Sequence, residues 1–171
     1  MRVASAAELA EAIKVAGVGS IVEMDLMKLI TDSIADKKSV AAREGAINVV
    51  HALHTVLGLH AEPYIVMIMP ALIAMYDDKV KTVCSTLEAA LVAFFQGVNA
   101  YAAATLLPFL FAGMETISWK VKCGCLKLLG TLAHTAPSQV GQLLPDIVPK
   151  VTESATPALD SLSPFSCDGG P

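Results

Sequence analysis

Apolar residues recur at three- and four-residue intervals along most of this chain, interrupted by short polar turns, and the spacing predicts a run of paired helices. Ala4 to Ala16 has Leu9, Ile13 and Ala16 at helical spacing until Gly17-Val18-Gly19-Ser20 breaks it, with Ser20 placed to cap the next helix. From Ile21, the residues Met24, Leu26, Leu29, Ile30 and Ile34 form an apolar face, with Glu23, Asp25, Lys28 and Asp32 opposite. Asp36-Lys37-Lys38-Ser39 is a tight polar turn. Ser39 can cap a helix from Val40 to about Leu57, which Gly58 can end in a left-handed conformation. A second pair runs from Glu62 through Pro70 to Tyr76, turns at Asp77-Asp78-Lys79, and continues from Val80 to Gln96. Pro63 falls in the first turn, where its missing N–H costs nothing. A third pair opens at Asn99, includes Pro108, turns at Thr116-Ile117-Ser118 and returns from Trp119 to Thr135. Ala136-Pro137-Ser138 opens a fourth, with a helix from Gln142 to Val151. After Thr152 the pattern fails, because Pro157, Pro164, Gly169, Gly170 and Pro171 leave no room for its partner helix.

The pairs repeat. Ile68-Met69-Pro70-Ala71-Leu72-Ile73 is echoed by Leu106-Leu107-Pro108-Phe109-Leu110-Phe111 and by Leu143-Leu144-Pro145-Asp146-Ile147-Val148, with the prolines 38 and 37 residues apart. A proline at one phase of an apolar helix predicts a bend built into the unit. Gly45, Ser85 and Gly124 align in the second helices at spacings of 40 and 39, which predicts a close helix approach at that phase. Units of this length, with a proline in the first helix and Asp before the second, read as HEAT-type repeats. The expected fold is therefore all-α, a HEAT-type α-solenoid of about three to four antiparallel helix pairs. Residues 1–20 read as the partial helix of a preceding unit, 21–154 as the repeat domain, and 155–171 as a disordered or divergent tail. An unfinished last unit would expose apolar surface, so self-association through that open end is a further expectation.

Composition narrows the chemistry. Apolar residues make up 54% of the 171 and aromatics 5%, so the core should be aliphatic. A net charge of −4 offers no global attraction for nucleic acid, and any such contact needs a local basic patch. Ala89 to Met114 is free of charge over 26 residues, long enough to span a bilayer. Gln96-Gly97-Val98-Asn99 interrupts it as a turn, and no membrane association is expected. Met1 to Ala16 has Glu8, Glu11 and Lys14 where a secretory signal would be uninterrupted. The four cysteines, Cys84, Cys123, Cys125 and Cys167, form no framework and read as reduced thiols of a cytoplasmic protein.

Several strings resemble a known family. Asp36-Lys37-Lys38 with Ala41-Ala42-Arg43-Glu44, then Glu62-Pro63-Tyr64-Ile65-Val66, look like the N-terminal HEAT region of fungal-type translation elongation factor 3. Val98-Asn99 with Leu106-Leu107-Pro108, Trp119 with Lys122, and Leu144-Pro145-Asp146-Ile147-Val148-Pro149 with Thr152-Glu153 continue the likeness from about Met24 to Ser154. A homologous block occurs in the large ribosome-bound activator of the amino-acid-starvation kinase. The Glu-Pro-Tyr-Ile-Val and Val-Asn strings favour the elongation factor. The resemblance implies a HEAT block that docks on the ribosome, acting in translation elongation beside separate ATP-binding cassettes. No Gly-x-x-x-x-Gly-Lys-Ser/Thr pattern occurs here, so the chain reads as non-catalytic, a fragment, truncated isoform or decayed copy of that block.

The remaining candidates are few. His51 and His54 lie one helical turn apart, which suits a structural pair better than a zinc site without further ligands. Cys123-Gly124-Cys125 places its thiols on different helix faces. No Ser/His/Asp or Cys/His set has a motif context, so no catalytic, cofactor or metal residue is expected. The basic residues are more informative: Lys37, Lys38, Arg43, Lys79, Lys81, Lys120, Lys122 and Lys127 all fall at the turns within pairs or in the first turns of second helices. Stacked units would line these turns along one ridge, a basic edge able to meet ribosomal RNA phosphates, with ribosomal or other proteins as further partners. The competing reading is a solvated rim, partly neutralised by Asp36, Asp77 and Asp78.

Overall fold

The computed structural model describes residues 2–142 and 144–160. Ten helices succeed one another among them: α1 (Arg2–Ala16), α2 (Ser20–Glu23), α3 (Leu26–Ala35), α4 (Val40–Leu57), α5 (Glu62–Ala74), α6 (Lys81–Gly97), α7 (Ala100–Met114), α8 (Trp119–Thr135), α9 (Pro137–Gln142) and α10 (Leu144–Asp160). Helices α3, α5 and α7 stack in one layer, and α4, α6 and α8 in the other. Helix α1 lies along α4 in the same way that α4 lies along α6. The described chain is a two-layered, all-α HEAT solenoid.

Local chemistry explains where the helices start and stop. The Ser39 side chain accepts from Ala42 N at 3.1 Å, and Asn99 Oδ1 accepts from Tyr101 N and Ala102 N at 2.8 and 2.9 Å. Gly58 ends α4 at φ 56°, a backbone angle that side chains resist. The charge-free run Ala89 to Met114 divides between α6 and α7 at Val98 and Asn99. No helix among the described residues is long and apolar enough to cross a membrane.

The core is one aliphatic band between the layers, with Ile47, Leu53, Ile65, Met69, Leu72, Leu87, Leu91 and Leu106 fully buried. Phe94 and Phe95 complete it, edge to face at 5.8 Å. Each such side chain contributes roughly 1.5–3 kcal/mol on burial.

Three expectations are corrected. The helix expected from Ile21 breaks at Asp25, whose left-handed conformation (φ 50°, ψ 37°) separates α2 from α3. Ile21, Leu26, Ile30 and Ile34 stay buried, but Met24 and Leu29 are left 45% and 58% exposed. The close approach expected at the Gly45–Ser85–Gly124 phase exists only at Gly124, where a Cβ would lie 2.7 Å from the Tyr76 ring. Gly45 faces open space and Ser85 is exposed, whereas Gly113 is packed against Cys125 and Ile73. Finally, Pro70 and Pro108 do sit inside α5 and α7, on exposed positions, but Pro145 is the second residue of α10 and demands no bend. Helix α10 continues past Ser154 and Pro157 to Asp160. Leu143, Cys167 and the rest of the expected tail lie outside the described residues.

Candidate functional site

The three turns within pairs are held by short side-chain hydrogen bonds, and the first two carry lysines outward. Asp36 Oδ1 accepts from Lys38 N at 2.9 Å and from Ser39 N at 3.4 Å, presenting Lys37 and Lys38, both exposed. Asp78 Oδ1 accepts from Val80 N at 2.8 Å, fixing the turn that carries Lys79. In the third turn Thr116 donates to Gly113 O at 2.7 Å. Ser118 donates its hydroxyl to Asp77 Oδ1 at 2.8 Å, 41 residues earlier in the chain. Ser118 is therefore spent on joining two units, and no side-chain cap is left for α8.

The cross-unit bonds continue along this edge. Thr82 donates to Glu44 at 2.7 Å, and Lys127 donates to Glu88 at 2.6 Å. The latter contact holds the Lys127 pKa above its usual value, through the hydrogen bond and the charge of Glu88. Lys120 Nζ reaches Asp78 O at 3.3 Å.

Arg43 does not belong to the exposed set. It is 5% exposed; its Nε stands 2.7 Å from Asp78 Oδ2, and a terminal nitrogen donates to Asp36 O at 2.7 Å. A buried guanidinium requires such partners, and here they join the first unit to the second. Of the other seven cations, Lys37, Lys38, Lys79, Lys81 and Lys120 are exposed and Lys122 half-buried at the turns or in the first turns of second helices. Lys127, expected with them, is instead exposed midway along α8, because it is the ninth residue of that helix.

Sequence reasoning missed a groove of about 460 Å³ on this edge, between the second and third units. Lys79, Lys81, Lys120, Lys127, Trp119 and Tyr76 help to line it. Trp119 is 67% exposed, while Tyr76 is 6% exposed with its hydroxyl lacking a hydrogen-bond partner among the described residues. An exposed tryptophan on the first residue of α8, beside a lysine, was the available sign. The juxtaposition of Tyr76 with it was not readable, because 43 residues separate them.

The histidine and cysteine candidates behave as packing groups. His54 meets Phe94 edge-on at 5.2 Å, and desolvation lowers its pKa, opposed by a hydrogen bond to the Ala93 backbone. His51 points to solvent. Cys125 is buried, which pushes its thiol up to about 12, while Cys123 is half-exposed. No group of three or more His, Cys, Asp or Glu among the described residues is placed to hold a metal ion.

Comparison with known proteins agrees with this architecture. The family model described as EF3 N-terminal HEAT repeat matches residues 2–156. The stalled ribosome sensor GCN1 of Homo sapiens is 37% identical over 148 residues, 86% of this chain and 6% of that protein. Elongation factor 3 of Gonapodya prolifera is 34% identical over 154 residues, 89% of this chain and 14% of its own length. Protein ILITYHIA of Arabidopsis thaliana is 34% identical over 137 residues, 80% of this chain and 5% of that protein. The chain thus spans a small part of each relative, and identity does not separate the elongation factor from the ribosome sensor. No solved structure matches it significantly. The chain belongs to the EF3 N-terminal HEAT repeat family.

Proposed function

We propose that this chain is a ribosome-binding HEAT scaffold of an elongation factor 3- or GCN1-like protein, working in the cytoplasm in translation and non-catalytic by itself. The observation that carries the reading is the segregation of charge. Six of the chain's twelve Lys and Arg fall at the turns or first turns of second helices in a molecule with net charge −4, and Arg43 braces that edge from inside. A row of lysines held by turns neutralises phosphates without reading bases, which suits docking on folded ribosomal RNA. The relatives named for ribosome sensing and elongation support the same direction.

Co-sedimentation with ribosomes tests it. About four phosphate contacts predict retention about a hundredfold weaker at 200 mM than at 50 mM salt. Replacing Lys37, Lys38, Lys120 and Lys122 by Glu should abolish pelleting at low salt; unchanged pelleting would sink the basic edge. A scaffold whose grooves take partner helices predicts instead salt-resistant capture of protein and no ribosome association. The same centrifugation separates the two.

A further inference from the structure

The groove between the second and third units combines features that docking on a duplex backbone does not need. Backbone contact requires exposed cations, and Lys37 and Lys38 satisfy that requirement without any cavity. At the neighbouring turns, Lys79, Lys81 and Lys120, with Lys127 from midway along α8, instead surround a concavity of about 460 Å³, a volume within the range of ligand sites. The aromatic face offered beside them is Trp119, which is 67% exposed and the only tryptophan of the chain. Other large apolar side chains are also exposed, Ile117 and Tyr101 among them, but Trp119 is the one of these that lines the lysine-rich groove.

The polar groups of the groove are sorted by commitment. Its two carboxylates are engaged, Asp78 with Arg43 and Glu88 with Lys127, so they leave the lysine charge in excess. Tyr76 forms part of the groove wall, its phenol buried and kept protonated by that burial and by the charge of Glu88. The ring of Tyr76 is admitted because Gly124 has no side chain to displace it. Ser118, bonded to Asp77, pins the residue next to Trp119 against the preceding unit, so the indole is presented from a braced position.

We infer that this groove binds an unpaired nucleotide of single-stranded RNA, its base stacked on Trp119 and its phosphates on Lys79, Lys81 and Lys120. A flat π-face beside flexible cations is what unpaired bases recognise, and a paired base has no face to give. This assignment rests on the scaffold reading and sharpens it. The RNA surface met by the turn edge includes a loop or bulge as well as helix backbone.

The emission of the single Trp119 reports on this site alone. Titrating the full chain with a short oligoadenylate should quench it saturably. A fully paired, blunt-ended two-strand RNA duplex of equal phosphate count and a polyglutamate should leave it unchanged. Trp119→Ala should weaken oligoadenylate binding, measured by anisotropy of a labelled oligomer, roughly tenfold or more, and Trp119→Tyr should recover most of the loss. Unquenched emission at saturating oligoadenylate, with ribosome pelleting intact, would overturn the stacking site and leave the scaffold standing. Loss of pelleting in the unmodified chain would overturn the scaffold reading instead. Equal quenching by polyglutamate would make the groove an acidic-peptide site and also overturn the assignment.

Discussion

The solenoid has two long edges, and each is stitched across neighbouring units by one buried or nearly buried carboxylate. On the turn edge Asp78 takes Arg43, 35 residues earlier in the chain. On the opposite edge, where one unit passes to the next, Glu62 is 3% exposed and accepts from the backbone N of Asn99 at 3.0 Å and from the Asn99 side-chain amide. The mechanical task is the same, fixing the register of one unit on the next. The chemistry differs: the first pairs opposite charges, while the second satisfies its charge with neutral donors alone. Between Arg43 and Lys79, and between Lys81 and Lys120, the chain has no Lys or Arg, so the loops around Gly58–Glu62 and Val98–Asn99 carry none. Structural need alone therefore accounts for Arg43 but not for the lysines around it. One edge is finished within the fold, and the other is left with charge to offer.

Breaking the two stitches separately tests that contrast. Asp78→Ala leaves Arg43 buried without its counter-charge and removes the bond to Val80 N. Urea denaturation should show a loss of about 3–5 kcal/mol. Glu62→Gln keeps an acceptor for Asn99 and should cost less, about 1–3 kcal/mol, while leaving ribosome retention unchanged. If the Glu62 variant loses ribosomes as readily as the lysine variants, the two edges are not functionally distinct.

Two glycines at the same phase of α4 and α8 give a second, smaller contrast. Gly124→Ala drives a Cβ into the Tyr76 ring and should destabilise by about 1–3 kcal/mol. Gly45→Ala meets open space in a helix interior and should stabilise by up to about 1 kcal/mol. Equal effects would mean that the Tyr76 ring has room to shift, and that the groove is not braced.

The smallest effect belongs to the loop edge, through His54. Its folded-state pKa lies below the unfolded value of 6.5, so the unfolded chain takes up the proton first. The stability contributed by neutral His54 is full above about pH 6.5 and falls as pH drops from there toward the lowered folded pKa. Thermal melts between pH 7 and 5.5 should decline more steeply for the unmodified protein than for His54→Leu. Parallel slopes would show that His54 is solvated enough to titrate normally.

Helix positions were readable because caps and periodicity agree. Ser39, Gly58 and Asn99 mark their boundaries by short-range chemistry, and Trp119–Thr135 appears in the structure as the pattern predicts it. What escaped depends on partners distant in the chain. Arg43 reads as a surface cation until Asp78 is brought beside it, and Gly113 looks ordinary until Cys125 and Ile73 close on it. Asp25 misled for a local reason, since one left-handed residue turns the next helix and carries Leu29 out of the apolar face. The lysines of the edge were visible individually, whereas the groove that three of them share with Lys127 required two units in their stacked positions.

Asp78 has one more consequence, which concerns the joints on either side of it. Its carboxylate holds the unit before it through Arg43, its carbonyl receives Lys120 from the unit after it, and its side chain also starts its own second helix. Two successive joints of the superhelix thus share a single residue. Displacing Asp78 would therefore disturb the contact to the unit before it and the contact to the unit after it together.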